Sequence, residues 1–156
     1  RQRQMCIRDR DKAAQYLIRY GQAMKAAGAQ GIMLAEPLAG ILSPVMAEEF
    51  SMPYVKRIID ALQTDDFALI YHNCGNTVPR MLEGIYALGA AAYHFGNAVE
   101  LASVLADTPA DVLVMGNVDP AGEFAGGTVA SITAARTLPR TEARKEAVSP
   151  SEIRLK

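Results

Sequence analysis

Apolar residues recur along this chain in short blocks that alternate between two spacings. Over residues 11–27, Ala14, Leu17, Ile18, Met24 and Ala27 fall near helical spacing, and Gly28 supplies a stop. Gly31-Ile32-Met33-Leu34-Ala35 is a continuous apolar run that ends in Glu36-Pro37, as a buried strand feeding a loop does. Ser43-Pro44 reads as an N-cap followed by a first helical position. Pro53 interrupts and restarts that helical stretch, with Tyr54, Val55, Ile58, Ile59 and Leu62 on one face. Phe67–Tyr71 is the second strand. Asn76 or Thr77 then caps a helix carrying Met81, Leu82, Ile85 and Leu88, which Gly89 ends. Ala91–Phe95 is the third strand, followed by a helix with Val99, Leu101, Ala102 and Leu105. Asp111–Met115 is the fourth strand, ended by Gly116-Asn117, and Thr128 caps a last helix.

The order is one helix and then four strand–helix units. Apolar strands alternating with amphipathic helices predict an α/β fold, a parallel sheet covered by helices. The unit spacing suits an open doubly wound sheet or part of a (β/α)8 barrel. Polar residues stand at all four strand carboxyl ends: Glu36, then His72 and Cys74, then His94 and Asn97, then Asn117 and Asp119. Such convergence is how barrel enzymes build their sites, whereas open sheets bind mainly at one switch point. No Gly-x-Gly-x-x-Gly and no phosphate-loop motif occurs. A whole barrel needs about 250 residues, so 156 residues predict an incomplete barrel with an open edge on each side.

Composition adds the setting. The chain is 50% hydrophobic and 21% charged, a globular balance. Its apolar runs are far shorter than the roughly 20 residues of a membrane helix, and no segment reads as a secretory signal. Two cysteines make no disulfide framework, so a cytoplasmic location is expected. The net charge of −1 is unevenly spread. Residues 11–135 are acidic, whereas Arg1, Arg3, Arg8 and Arg10 crowd the head, and the tail from Arg136 is basic. The head, Arg-Gln-Arg-Gln-Met-Cys-Ile-Arg-Asp-Arg, lacks usable periodicity and resembles the in-frame translation of a sequencing-library adapter. The expected organisation is a non-native head over 1–10, a partial barrel domain over 11–135, and a tail over 136–156 that is frame-shifted or a frayed linker. No basic stripe interleaved with aromatics appears, which disfavours nucleic-acid binding.

The chemistry concentrates at His72-Asn73-Cys74-Gly75. Residues i and i+2 of a strand share a face, so the His72 imidazole and the Cys74 thiol project together. Imidazole plus thiolate is half of a zinc site. The same pair also suits a hydrogen-bonded histidine beside a buried cysteine acting as a small hydrophobe. Glu36 suits a ligand, a base or a loop cap. Asp119 before Pro120 suits a turn former that caps backbone amides, or a substrate contact. Gly116 and Asn117 shape that turn, and Asn117 is also placed to touch substrate. Met24, Met33, Met46, Met52 and Met81 read as core filling.

Three segments carry a resemblance: Glu36-Pro37-Leu38-Ala39-Gly40 with Leu42-Ser43-Pro44, Tyr71-His72-Asn73-Cys74-Gly75, and Met115-Gly116-Asn117-Val118-Asp119-Pro120. Together they resemble the uroporphyrinogen decarboxylase superfamily, and within it the cobalamin-dependent methyltransferase branch. The resemblance implies the C-terminal half of a (β/α)8 barrel without its last strand. It implies zinc held by His72, Cys74 and a distant second cysteine, and a methyl group moved from a methyl-corrinoid to a thiol. Glu36 and Asp119 are the implied catalytic residues; Asn117, His94 and Asn97 are implied to bind substrate or corrinoid. The distal cysteine would lie on the last strand, and no cysteine follows Cys74. The methyltransferases tend to carry an acid where this chain has Gly96-Asn97, and Glu36 or His94 is the substitute available here. The decarboxylase's Arg-rich segment and catalytic Asp would lie in the first half. The expected partners are a small thiol or a tetrapyrrole, with a corrinoid protein in the methyltransferase reading. The alternatives are metal-free decarboxylation of uroporphyrinogen, and a non-catalytic corrinoid- or tetrapyrrole-binding module. In each catalytic reading the intact parent is the enzyme, and this chain alone is expected to be inactive.

Overall fold

The structure is a computed structural model that describes residues 2–136, with side chains described over 7–135. The tail expected to diverge, residues 136–156, lies outside them but for the backbone of Arg136. The first helix, α1, runs over Gln2–Ala26 and ends before Gly28, whose φ of +97° only glycine takes without strain. Strand β1 (Gly31–Ala35) follows, and its carboxyl end opens into a loop with a single 3₁₀ turn at Ala39–Ile41. Helix α2 (Pro44–Phe50) starts as the sequence predicts: Ser43 Oγ accepts from the Met46 amide at 3.3 Å. Helix α3 (Met52–Leu62) restarts at Pro53.

Strand β2 covers Ala68–Asn73, two residues further than the apolar run suggests, so His72 lies inside the ladder. The capped helix expected after it is shorter. A 3₁₀ turn at Val78–Arg80 precedes α4 (Leu82–Tyr86), and the Thr77 side chain makes no cap. Thr77 Oγ1 instead donates to the Gly40 carbonyl at 3.0 Å, tying two loops together. Then come β3 (Ala92–Phe95), α5 (Leu101–Ala106), β4 (Val114–Met115), a π-helical turn at Pro120–Ala125 and α6 (Val129–Arg136). β4 is shorter than the predicted Asp111–Met115 because only two of its residues pair with β3.

All pairings are parallel, in the order β1-β2-β3-β4. The register aligns Ala35, His72, His94 and Met115 in one row. It aligns Leu34, Tyr71, Tyr93 and Val114 in the next. Alternate rows point to opposite faces. One face meets the helices: Leu69, Tyr71, Tyr93 and Phe95 are buried in one core with Val55, Ile58, Ile59 and Leu62 of α3 and Ile85 of α4. Each such aliphatic side chain contributes about 1.5–3 kcal/mol through burial. The opposite face carries His72 and His94 and remains open, with Met33 52% and Leu113 53% exposed. Among the described residues no helix is long and apolar enough to cross a membrane.

Candidate functional site

The open face at the strand carboxyl ends gathers His72, His94 and the Cys74 turn. Ile70, His72 and Cys74 share one parity on β2 and the residue after it, whereas Leu69, Tyr71 and Asn73 are buried on the helix side. Cys74 sits one residue beyond the strand as an exposed free thiol. A Cβ on Gly96 would stand 2.7 Å from the Cys74 Cβ, so the glycine leaves the room that the cysteine occupies.

The two histidines meet because the register places them side by side. Their Nδ1 atoms are 2.8 Å apart, and His72 Nδ1 is also 3.1 Å from the His94 carbonyl oxygen. A carbonyl only accepts, so the arrangement that satisfies both contacts has His72 donating from Nδ1 and His94 accepting at its own Nδ1. That tautomer leaves a lone pair on His72 Nε2, the state a metal-ligating imidazole needs. Burial first, and the neighbouring His72 second, hold His94 below the ordinary histidine value. His94, expected to bind substrate or corrinoid, lies with its Nδ1 and its carbonyl oxygen against His72 Nδ1.

Glu36 joins a different group. It has the parity of Ile32 and Leu34, which pack on the helix side. Its carboxylate accepts from Ser51 Oγ at 2.9 and 2.7 Å and from the Tyr71 hydroxyl at 3.1 Å. Tyr71 is buried on the face away from His72, so the structure does not bring Glu36 to the two histidines. Burial, and behind it the Glu36 charge, pushes the Tyr71 phenol far above its ordinary value, so it remains a hydroxyl donor.

The last strand end is built from backbone clasps. Asn117 Nδ2 donates to the carbonyls of Gly96 at 3.0 Å and Val99 at 2.6 Å, which commits both amide protons to fastening the β4 loop onto the β3 loop. Gly116, at φ +143°, sits where a Cβ would meet the Phe95 carbonyl oxygen at 2.5 Å. Asp119 Oδ1 accepts from the Ala121 and Gly122 amides at 2.9 and 3.1 Å, capping the helical turn at 120–125. Asn97 is exposed on the loop after β3.

Among the described residues no three His, Cys, Asp or Glu side chains are grouped to hold a metal ion. His72 and Cys74 match zinc in donor type and share a strand parity, and among the described residues no third donor is grouped with them. Sequence reasoning missed the Ser51–Glu36–Tyr71–Asn73 network. The parity of Glu36 with Ile32 and Leu34 was the signal that could have found it.

The family model for uroporphyrinogen decarboxylase (URO-D) matches residues 8–147. A uroporphyrinogen decarboxylase of Desulfotalea psychrophila is 35% identical over 111 residues, covering 70% of this chain and 32% of that protein. The methylcobamide:CoM methyltransferase MtbA of Methanosarcina mazei is 29% identical over 127 residues, covering 80% and 37%. A uroporphyrinogen decarboxylase of Colwellia psychrerythraea is 33% identical over 124 residues, covering 74% and 33%. The chain spans about a third of the length of these relatives.

Proposed function

Since this chain belongs to the uroporphyrinogen decarboxylase family, whose fold is the (β/α)8 barrel, we propose that it is part of a zinc-dependent methyltransferase that moves a methyl group from a methyl-corrinoid to a thiol. The observation that carries the reading is His72 and Cys74 in one parity at the carboxyl end of β2, with His72 Nδ1 engaged by the His94 carbonyl. His72 and Cys74 would hold the metal, and bound zinc supplies a lowered pKa to the acceptor thiol. The chain's own contributions are orientation and access. His94 holds the His72 ring with Nε2 turned away from their contact, and the Cys74 thiol stays exposed. A bound methyl-corrinoid would supply the methyl group, and the zinc that His72 and Cys74 would hold would prepare the acceptor thiol as its thiolate. A cytoplasmic setting, a corrinoid protein as partner and a small thiol as acceptor belong to the same proposal.

The second reading is decarboxylation of uroporphyrinogen. It is favoured by the higher identity to the decarboxylases, 35% against 29%.

Cobalt(II) substitution separates the two. Titrating the chain with Co²⁺ is expected to raise a thiolate-to-metal charge-transfer band that disappears in Cys74→Ser and weakens in His72→Ala. Methylcobalamin is then lost in the presence of a thiol when the ligand set is complete. A cobalt spectrum indifferent to Cys74→Ser overturns the methyltransferase reading. Release of carbon dioxide from uroporphyrinogen without metal establishes the other.

A further inference from the structure

Ser51 and Asn73 are the two buried polar side chains among the described residues, 6% and 1% exposed. Both belong to one hydrogen-bonded chain on the helix side of the sheet. Ser51 Oγ donates to Glu36, and the Tyr71 hydroxyl donates to Glu36 Oε2 at 3.1 Å. Asn73 Nδ2 donates to the Tyr71 oxygen at 3.2 Å, and the Gly75 amide donates to Asn73 Oδ1 at 2.9 Å. The chain ends on the peptide that joins Cys74 to Gly75.

Direction is the informative property of this chain. A carboxylate accepts and never donates. Tyr71 has a single proton, so facing Glu36 it must give that proton to the carboxylate and accept through its oxygen. Asn73 is then forced to turn its NH₂ toward Tyr71 and its carbonyl toward Gly75. The Gly75 N–H can meet only a carbonyl there. The Glu36 carboxylate at one end and the Gly75 N–H at the other therefore demand the same direction of every bond between them. Buried networks of this kind stabilise only when every member is satisfied.

We propose that Glu36 is a positioning residue for Cys74: its carboxylate sets the direction of the hydrogen bonds that hold the peptide after the thiol. Cys74 is exposed while the network lies on the buried helix side, so Glu36 acts through the sheet edge without touching the thiol. The backbone reinforces it. Gly75 packs directly on Gly40, and a Cβ on Gly40 would stand 2.5 Å from the Gly75 Cα. The importance of Cys74 rests on the methyl-transfer reading; the positioning itself does not.

The test needs neither metal nor methyl donor, so it can fail separately from that reading. In the full chain with Cys6→Ser, Cys74 is the one thiol. Two rates are measured: alkylation of Cys74 by iodoacetamide, and hydrogen exchange of the Gly75 amide by NMR. A glutamine can face Tyr71 with either end, so in Glu36→Gln the Tyr71 hydroxyl is no longer held as a donor toward residue 36, and Asn73, whose carbonyl still faces the Gly75 N–H, loses the fixed acceptor for its NH₂. Both rates are expected to rise about three- to tenfold, the equivalent of one hydrogen bond. Tyr71→Phe, which cuts the chain in the middle, gives the same rise. Adding Asn73→Asp to Glu36→Gln restores an acceptor-only group beside Gly75 and returns both rates toward the parent. Ile59→Val, a core truncation away from the network, leaves both rates unchanged. The proposal is overturned if Glu36→Gln matches the parent in both rates, or if its faster rates are not rescued by Asn73→Asp. Should Glu36→Gln fail to fold, Tyr71→Phe alone decides on the same two rates.

Discussion

The two faces of β2 are built from interleaved residues of one strand, and they have opposite characters. On the helix side Leu69, Tyr71 and Asn73 are buried, and the polar atoms of Tyr71 and Asn73 are partnered. On the other side Ile70 and His72 are half-buried and Cys74 is exposed, and among the described residues the polar contact found there is between two imidazoles and a carbonyl. The helix side is finished by residues of this chain. The open side presents its chemistry beside exposed apolar residues, Met33 at 52% and Leu113 at 53%. Stability and reactivity are thus assigned to opposite parities of the same six residues.

The largest effect that tests this contrast is a truncation on the finished side. Ile59→Ala should cost about 2–5 kcal/mol and lower the denaturation midpoint accordingly, because Ile59 is fully buried in the core. Asp119→Ala comes next, at about 1 kcal/mol, from loss of the cap on the turn at 120–125. Asp119→Asn should retain most of that stability, since asparagine caps as well; in the completed enzyme, loss of activity in this variant with unchanged stability would show a direct chemical role instead. The His94 effect is smaller and depends on pH. Its folded pKa lies below the unfolded value near 6.5, so the neutral form is favoured by folding. That stability is present above about pH 6.5 and is lost as the pH falls through the lower folded value. Thermal melts from about pH 7 to about pH 5 should therefore fall less in His94→Asn than in the parent. An equal slope in both would show that the imidazole pair carries no folding linkage. Smallest is Met33→Ala on the open side, within about 0.5 kcal/mol in the chain alone. A large loss there would mean that the open face is covered in solution, and the contrast between faces would collapse.

Much of the sheet was legible in the sequence. The β1 run, the Ser43-Pro44 start and the restart at Pro53 are local signals and appear where local rules place them. What sequence could not supply was register. The meeting of His72 with His94 depends on a pairing between residues 22 apart, and no spacing rule within either strand specifies it. Thr77 illustrates a second limit: as a helix-capping type it is locally plausible, but the Gly40 carbonyl competes for its hydroxyl. Glu36 shows a third. Grouping polar residues by strand end placed it with the histidines, whereas grouping by parity places it on the opposite face with Tyr71. The donor types at His72 and Cys74 were readable; the side each residue serves required the fold.

The contact between Gly40 and Gly75 has a consequence for how this family can be recombined. The loop after β1 and the turn after β2 meet backbone to backbone, with no side chain between them to absorb a mismatch. Segments exchanged between relatives with a junction anywhere from residue 41 to residue 74 would inherit the two halves of this contact from different parents. Junctions before residue 36 or after residue 77 keep the pair together. The stretch from Glu36 to Thr77 therefore behaves as one heritable block, and shuffled libraries should return viable hybrids mainly with breakpoints outside it.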